Sequence, residues 1–509
     1  MNGNAILGLL ALTTIAAAQQ QPPDCAVDGY VVNAVTGEPV PRVHIALNSP
    51  NGQSTVTADN SGHWSFSSVA CGPTRIMPSR PGFLTANPAL LSPVILTSGS
   101  PAHDVKIQIT PASAITGKVV DDQGDPIMGA QVTVLASRVT DGRRTLAPST
   151  NSSSNDLGEF RLPGLNAGKY IVCARANERG GGDSTILGES CYPGPANGGA
   201  ASMLDLAAGR EARVDFILHE VPTVHVRGVI SGIPKNRGVG LTLVSRGVGS
   251  AANSRPAKIR PDGNFDVAGV TPGSYILSTD YFDSGTRLKA RVPVEVGNSD
   301  VDDIAVHLDS GFAVTGKVRM ESKTGNEPNR QFAISLRSAD PLRGGVIQWS
   351  PDHATFTIND LTPGNFRLEA FPPARFFVKS ATLAGRDILT EEVPLTQAAG
   401  PIDIVLSDNG GTVDAQVIGP DGQPAPSSWV MVLRDGWPPR NGMAGPDGHA
   451  RLEGLAPGDY RVYAWDDVQR VEYADPEWMQ RYSMNGVSIS VQAGLTAQVT
   501  LKLQTLPAQ

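Results

Sequence analysis

The sequence predicts an all-β protein, a tandem array of about five antiparallel β-sandwich domains with a short helical insertion in the last. Three observations predict it. The first is a landmark that recurs five times: a short alternating apolar stretch led in most copies by glycine, then, ten residues on, a glycine before an aromatic or β-branched residue. The copies are Gly62-His-Trp64-Ser-Phe66 with Gly72-Pro-Thr74, Gly158-Glu-Phe160-Arg-Leu162 with Gly168-Lys-Tyr170, and Gly263-Asn-Phe265-Asp-Val267 with Gly273-Ser-Tyr275. Two more are Ala354-Thr-Phe356-Thr-Ile358 with Gly364-Asn-Phe366, and Gly448-His-Ala450-Arg-Leu452 with Gly458-Asp-Tyr460. The second glycines give a period of roughly 95 residues, too long for a solenoid repeat and right for a small domain. The second observation is composition: 55 Gly and 40 Pro with 18% charged residues describe a turn-rich, strand-rich chain, and 40% hydrophobic residues exclude disorder. The third is strand-period alternation throughout.

Each repeat reads as a series of strands. An opening strand carries Gly29-Tyr-Val-Val32, Gly117-Lys-Val-Val120, Gly228-Val229-Ile230 and Gly316-Lys-Val318, and in degenerate form Asp414-Ala-Gln-Val417. Turns follow at Thr36-Gly37-Glu38-Pro39, Gln123-Gly124-Asp125-Pro126, Asn326-Glu327-Pro328 and Asp421-Gly422-Gln423-Pro424. Glycine supplies positive φ there, and proline fixes φ where the next strand begins. Alternation in Val43-His44-Ile45-Ala46-Leu47 and Ala130-Gln131-Val132-Thr133-Val134 is that of a half-buried sheet. Closing strands alternate likewise, as in Val105 to Ile109, Val214 to Leu218, Ile304 to Leu308, Ile402 to Leu406 and Val499 to Leu503. Six or seven short strands per repeat suit an immunoglobulin-like sandwich. The expected domains are residues 25–110, 112–220, 222–309, 311–408 and 411–504. Linkers of a few residues predict a semi-rigid succession of beads.

The combined pattern, Gly-x-Val, then Gly-x-Pro, then Asp-x-x-Gly-x-Phe and a distal Gly-x-Tyr, resembles the carboxypeptidase regulatory-like domain. The resemblance implies a transthyretin-like β-sandwich, similar also to collagen-adhesin B-type repeats and starch-binding folds. The first, second and fifth repeats carry it best, through Gly37 and Pro39, Gly124 and Pro126, and Gly422 and Pro424. The third lacks the Gly-x-Pro turn, and the fourth has Ala354 where the first landmark glycine stands. Such modules occur on many unrelated proteins, so the resemblance implies fold more than function.

Residues 1–18 read as a signal peptide: Ala5 to Ala18 is apolar, too short to span a bilayer, and ends in Ala16-Ala17-Ala18 before Gln19. No later window of the sequence is long and apolar enough for a membrane helix. Four cysteines in an exported chain form two local pairs, Cys25 with Cys71 and Cys173 with Cys191, each within one repeat. The segment Gly180 to Gly194 reads as a surface loop tied by the second pair. A net charge of −8 over 509 residues gives no basic footprint, and nucleic acid is not an expected partner.

Catalytic and metal signatures are absent from the sequence. There is no His-Glu-x-x-His zinc pattern, no Gly-x-Ser-x-Gly elbow, no phosphate loop and no EF-hand, and the eight histidines are scattered over separate repeats. Acidic groups at Asp121, Asp122 and Asp125, and at Asp300, Asp302 and Asp303, offer too few carboxylates for calcium and read as turn residues. Lys118 and Lys317 lie where the resemblance to collagen-adhesin repeats would place an isopeptide lysine, but the partner pattern is not visible. No cofactor is expected.

The departure from plain repetition is in the last repeat. Two tryptophans, Trp465 and Trp478, and the tyrosines Tyr463, Tyr473 and Tyr482 stand among carboxylates, with Pro476 placed to open a short helix. Large aromatics mostly serve packing, so the expected use is a lid on the sandwich. The alternative is a sugar-stacking surface made of Trp465, Tyr473, Trp478 and Tyr482. The functional expectation is an exported, non-enzymatic scaffold, spacer or adhesion module of a bacterial envelope. Its expected partners are envelope proteins or polysaccharide, and a carbohydrate-binding protein is the alternative.

Overall fold

The structure, a computed structural model, describes residues 24–49, 52–85, 94–177, 184–192, 203–234, 238–246, 254–283, 286–322, 332–338, 346–351, 353–373 and 375–506. The expected leader, the loop core at 180–183 and the turn at 326–328 lie outside them. The described residues fall into two compact units. One runs to Ala114 and takes in Pro163–Ala167 and Ala207–Arg210, and the other holds the remainder of Ile115–Gln509.

The first unit shows the plan of a module. Its opening strand, Asp24–Asn33, lies between His63–Ala70, which is antiparallel to it, and Ala102–Pro111, which is parallel. The facing sheet orders Gly52–Thr57, His44–Ser49, Gly72–Ser79 and Val94–Leu96. Inward residues of the two layers, among them Val31, Ile45, Leu47, Trp64 and Ile109, are fully buried. Each side chain of this kind contributes about 1.5–3 kcal/mol by leaving water.

The second unit repeats the plan four times. Opening strands Ser113–Asp121, Val224–Ser231, Phe312–Glu321 and Gly411–Ile418 each take an antiparallel neighbour from the first landmark and a parallel neighbour from the end of the module. The parallel neighbours are Phe216–Leu218, Val301–His307, Ile402–Ser407 and Thr496–Gln504. The sandwiches are therefore mixed, where the sequence predicted purely antiparallel sheets. Alternation reports which face a residue takes and not the direction of its strand. The first and last strands of a module can run alike because the chain crosses through the facing sheet between them. In the last module the two layers also join, through Ala464 and Trp465 beside Leu503 and Gln504.

The opening glycine has a steric cause. A Cβ at Gly29, Gly117 or Gly228 would stand 2.0, 1.7 or 1.9 Å from the carbonyl oxygen of Val105, Val214 or Ile304 on the closing strand. In the first and third modules that strand carries a bulge opposite the glycine, with Asp104 and Asp303 at φ of 57° and 61°. In the fifth module Ala415 stands in its place, and the ladder from Thr412 to Ile418 runs without a break in register. The landmark glycine closes a second recurring contact. The amides of Val31, Val119, Ile230 and Val417 donate to the carbonyls of Gly62, Gly158, Gly263 and Gly448 at 2.8–2.9 Å, and Val318 does the same to Ala354 in the fourth module. Asp59, Asn155, Asp262 and Asp447 prepare these turns by accepting amide hydrogens two to four residues ahead.

Candidate functional site

The last module leaves the common plan after the strand Gly458–Trp465. A short 3₁₀ turn, Val468–Arg470, leads to the α-helix Pro476–Gln480, a second 3₁₀ turn at Ser483–Asn485 and the strand Val487–Val491. Asp475 caps the helix: its Oδ1 accepts from the amides of Glu477 and Trp478 at 2.9 and 3.1 Å, and Pro476 occupies the first turn where no amide donor is needed.

The helix turns its aromatic residues onto the sheet. Trp465 is 0% and Trp478 6% exposed, over a floor of Met431, Tyr463, Val471 and Leu506. Trp478 lies 4.6 Å from Tyr482 and 5.7 Å from Trp465 between ring centroids, and Tyr482 meets Trp465 edge-on at 5.0 Å. Tyr473 and Tyr482 are half-buried. Trp465, Tyr473, Trp478 and Tyr482 are thus not presented as the open stacking surface that the alternative reading required. Strand alternation sends Val462 and Ala464 into the sandwich core and Trp465 to the outer face of the sheet, where the capped helix covers it.

The other side of this lid belongs to a different module. In the second module, Gln131–Thr140 and Arg143–Ser153 form a long hairpin whose two-residue turn is Asp141-Gly142. Both turn residues have positive φ, 55° and 71°, the geometry that matches strand twist. Its tip meets the lid. Ala474 donates its amide to the Gly142 carbonyl at 3.0 Å. The Tyr473 ring lies so close that a Cβ on Gly142 would be 2.7 Å from it. Arg144 donates from Nε and Nη2 to Glu472 Oε1 at 3.1 and 2.5 Å, and the Glu472 side chain is only 5% exposed. The fourth module joins through Arg337, which lies 2.7 Å from Asp141 and 2.9 Å from Glu369. Burial pushes the Tyr473 phenol above its ordinary range, and the Asp141 charge adds to the rise. Contacts are therefore not confined to successive modules, as a string of beads would have them.

The other candidate residues are engaged locally. Asp121 Oδ1 accepts from the amides of Gln123 and Asp125 at 2.9 Å, and Asp122 pairs with His219. Asp300 and Asp302 hold Arg227 at 2.8 and 3.1 Å, and Asp303 is the bulge residue noted above. Lys317 pairs with Asp403 at 3.0 Å on an exposed strand face, while Lys118 engages Asp215 through its backbone amide. His103, His225 and His449 also face carboxylates, those of Asp28, Asp266 and Asp414, each within its own module. Cys25 bonds to Cys71, and Cys173 to Cys191, which is its cross-strand partner. Cys173, Glu189 and Cys191 are the grouping of ligand-type residues among the described ones, and both sulfurs are consumed by the disulfide. Sequence reasoning missed Glu472, Arg144 and the Asp141-Gly142 turn, although an Asp-Gly pair between alternating stretches is a hairpin signal.

Fold and contacts together define a β-sandwich repeat protein. The carboxypeptidase regulatory-like domain matches residues 26–110 and 114–219, the span of the first two modules. The fifth, which carries the same Gly-x-Pro turn, lies outside the matched segments. No curated protein matches the chain. Among solved structures, the Bacillus anthracis TIE protein is 10% identical, with 56% of this chain and 51% of that one covered and a TM-score of 0.19. The chain thus spans about half the length of that protein. A streptococcal ancillary pilin is 13% identical over 55% of this chain and 99% of its own, with a TM-score of 0.18. The shaft pilin SpaA from Lactobacillus rhamnosus GG is 12% identical over 42% and 100%, with a TM-score of 0.22. Among the described residues, no helix is long and apolar enough to cross a membrane.

Proposed function

We propose that this chain is an exported, non-enzymatic structural protein, a β-sandwich array that acts as a scaffold or spacer at a cell envelope. The observation that carries the reading is the use made of the last module's insertion. Its aromatic rings and its buried carboxylate are engaged within the chain, where they join the second and fifth modules, and the hairpin tip they meet is held in turn by Arg337 of the fourth. A chain that spends its unusual residues on fixing modules to one another is suited to holding a geometry. The histidines support the same reading, since those that meet carboxylates do so singly, in separate modules. Export is supported by the apolar leader and by two disulfides, which persist in oxidising compartments.

The test is fractionation of cells expressing the full chain, with N-terminal sequencing and thiol titration of the recovered protein. The expected result is a mature chain beginning near Gln19, outside the cytoplasm and without free thiols. A full-length chain with four free thiols in the cytoplasm would overturn the reading.

A further inference from the structure

The fourth and fifth modules line an open cleft of about 540 Å³ that takes no part in the lid. Its polar lining comes from both sides: Glu321, Lys379, Ser407 and Asn409 near the fourth module, and Arg434 from the fifth. Phe377, Trp437 and Pro457 supply apolar wall. The volume lies within the range of small-molecule sites.

Several features show that the lining is built. Ser407 is 5% exposed, and its Oγ accepts the Asn409 amide at 3.2 Å, which fixes the start of the connector between the modules. Arg434 donates to the Pro457 carbonyl at 3.2 Å and lies 4.8 Å from the Trp437 ring centroid. Lys379 sits at a bulge in the strand Phe377–Leu383, where register shifts between Val378 and Ser380, and its Nζ meets Glu321 at 2.6 Å. A bulge re-aims a side chain and also breaks the regular row of backbone groups that an added peptide strand would need. Ser322, also on the lining, donates to Asp408 at 2.7 Å, which adds a second carboxylate beside the cleft.

The chemistry of this lining is two-sided. Carboxylates and cations balance, with hydroxyls and one carboxamide between them, beside an apolar wall that makes up the larger part of the exposed lining. An anion would call for cations alone, and an apolar ligand for few polar groups. Alternating hydroxyls and C–H faces, each hydroxyl both donor and acceptor, match it. We propose that this cleft binds a neutral oligosaccharide across the junction of the fourth and fifth modules, with Asn409 and Arg434 as its principal hydrogen-bonding residues.

The experiment is calorimetric titration of the full mature chain with neutral trisaccharides of glucose, mannose, galactose and N-acetylglucosamine. Trigalacturonate and a glutamate-rich hexapeptide are run beside them. Trp437 fluorescence, assigned with a Trp437→Phe variant, gives a second readout. The expected result is saturable binding of at least one neutral trisaccharide that changes Trp437 emission. Asn409→Ala and Arg434→Ala should each weaken it by about tenfold, or 1.4 kcal/mol, and the melting temperature checks that each variant stays folded. Should either variant melt early, Lys379→Met, on an exposed side chain, takes its place. Overturning results are no saturation by any neutral sugar, binding undiminished in the variants, or binding of only the acidic sugar or the peptide.

Discussion

At Gly142 the backbone stands at φ +71° and the Tyr473 ring fills the space a side chain would need, so two independent costs meet in one atom. Gly142→Ala should destabilise the second unit by about 2–3 kcal/mol, the sum of left-handed strain and a clash that the ring can partly relieve. A lowered denaturation midpoint at unchanged m-value would register it. Gly117→Ala should be worse, because the obstruction is the Val214 carbonyl, a backbone group that cannot rotate aside. The reciprocal change, Ala415→Gly, should cost about 1–2 kcal/mol, from added chain freedom and the loss of one buried methyl, since its ladder is regular and already holds a Cβ. A Gly117→Ala variant as stable as wild type would show that the closing strand can shift. These positions were partly legible in the sequence. The recurring opening glycine could be read, whereas its cause, a carbonyl on a strand about 75 to 100 residues away, is a property of three-dimensional register.

At the scale of elements, the lid depends on a cap and on an ion pair. Removing the cap with Asp475→Ala should cost about 1 kcal/mol and fray the helix Pro476–Gln480. Removing Arg144 strands Glu472, whose side chain is 5% exposed, without its guanidinium. The cost should be about 2–4 kcal/mol, less than for a wholly buried pair because Arg144 is itself 43% exposed. Glu472→Gln should cost less, since the amide oxygen still accepts from the guanidinium. In a double-mutant cycle, Arg144→Ala with Glu472→Ala should be milder than the two single costs added, and strict additivity would mean the groups do not interact. The helix was legible in the sequence, because a proline flanked by carboxylates is a local signal of a first turn. The partner of the lid was not legible, because no local pattern links residue 144 to residue 472. What the sequence did contain was the Asp141-Gly142 turn, which marks a hairpin without saying where its tip rests.

At the scale of the whole molecule, titration and cross-linking bound the conditions in which the fold persists. The Asp28 carboxyl, hydrogen-bonded by His103, lies below its ordinary range, as do those of Asp280 beside Arg287 and Glu453 beside Arg451. A carboxyl depressed in the folded state favours folding above its unfolded pKa, and that contribution fades as pH falls through the folded value. Stability should therefore decline below about pH 4. Burial raises the phenols of Tyr460, Tyr463 and Tyr473, and Tyr460 donates its hydroxyl to the Ala456 carbonyl at 2.7 Å. Raised acids favour folding below their unfolded pKa, and this contribution disappears as pH rises beyond about 10. Melting temperature against pH should form a plateau between these limits, and a maximum confined to one flank would contradict the assignment. The disulfides span 46 and 18 residues, and reduction should cost about 4 and 3 kcal/mol in the chain-entropy description. Both pairings followed from cysteine position alone. The parallel pairing of first and last strands, by contrast, leaves no mark on alternation.

The second module's hairpin holds the lid of the fifth, and hydrogen exchange of residues 471–482 reads that contact. In the wild-type chain this segment should exchange slowly, and in Arg144→Ala it should exchange markedly faster while the strand Gly458–Trp465 keeps its protection. Equal exchange of the segment in both proteins would contradict it.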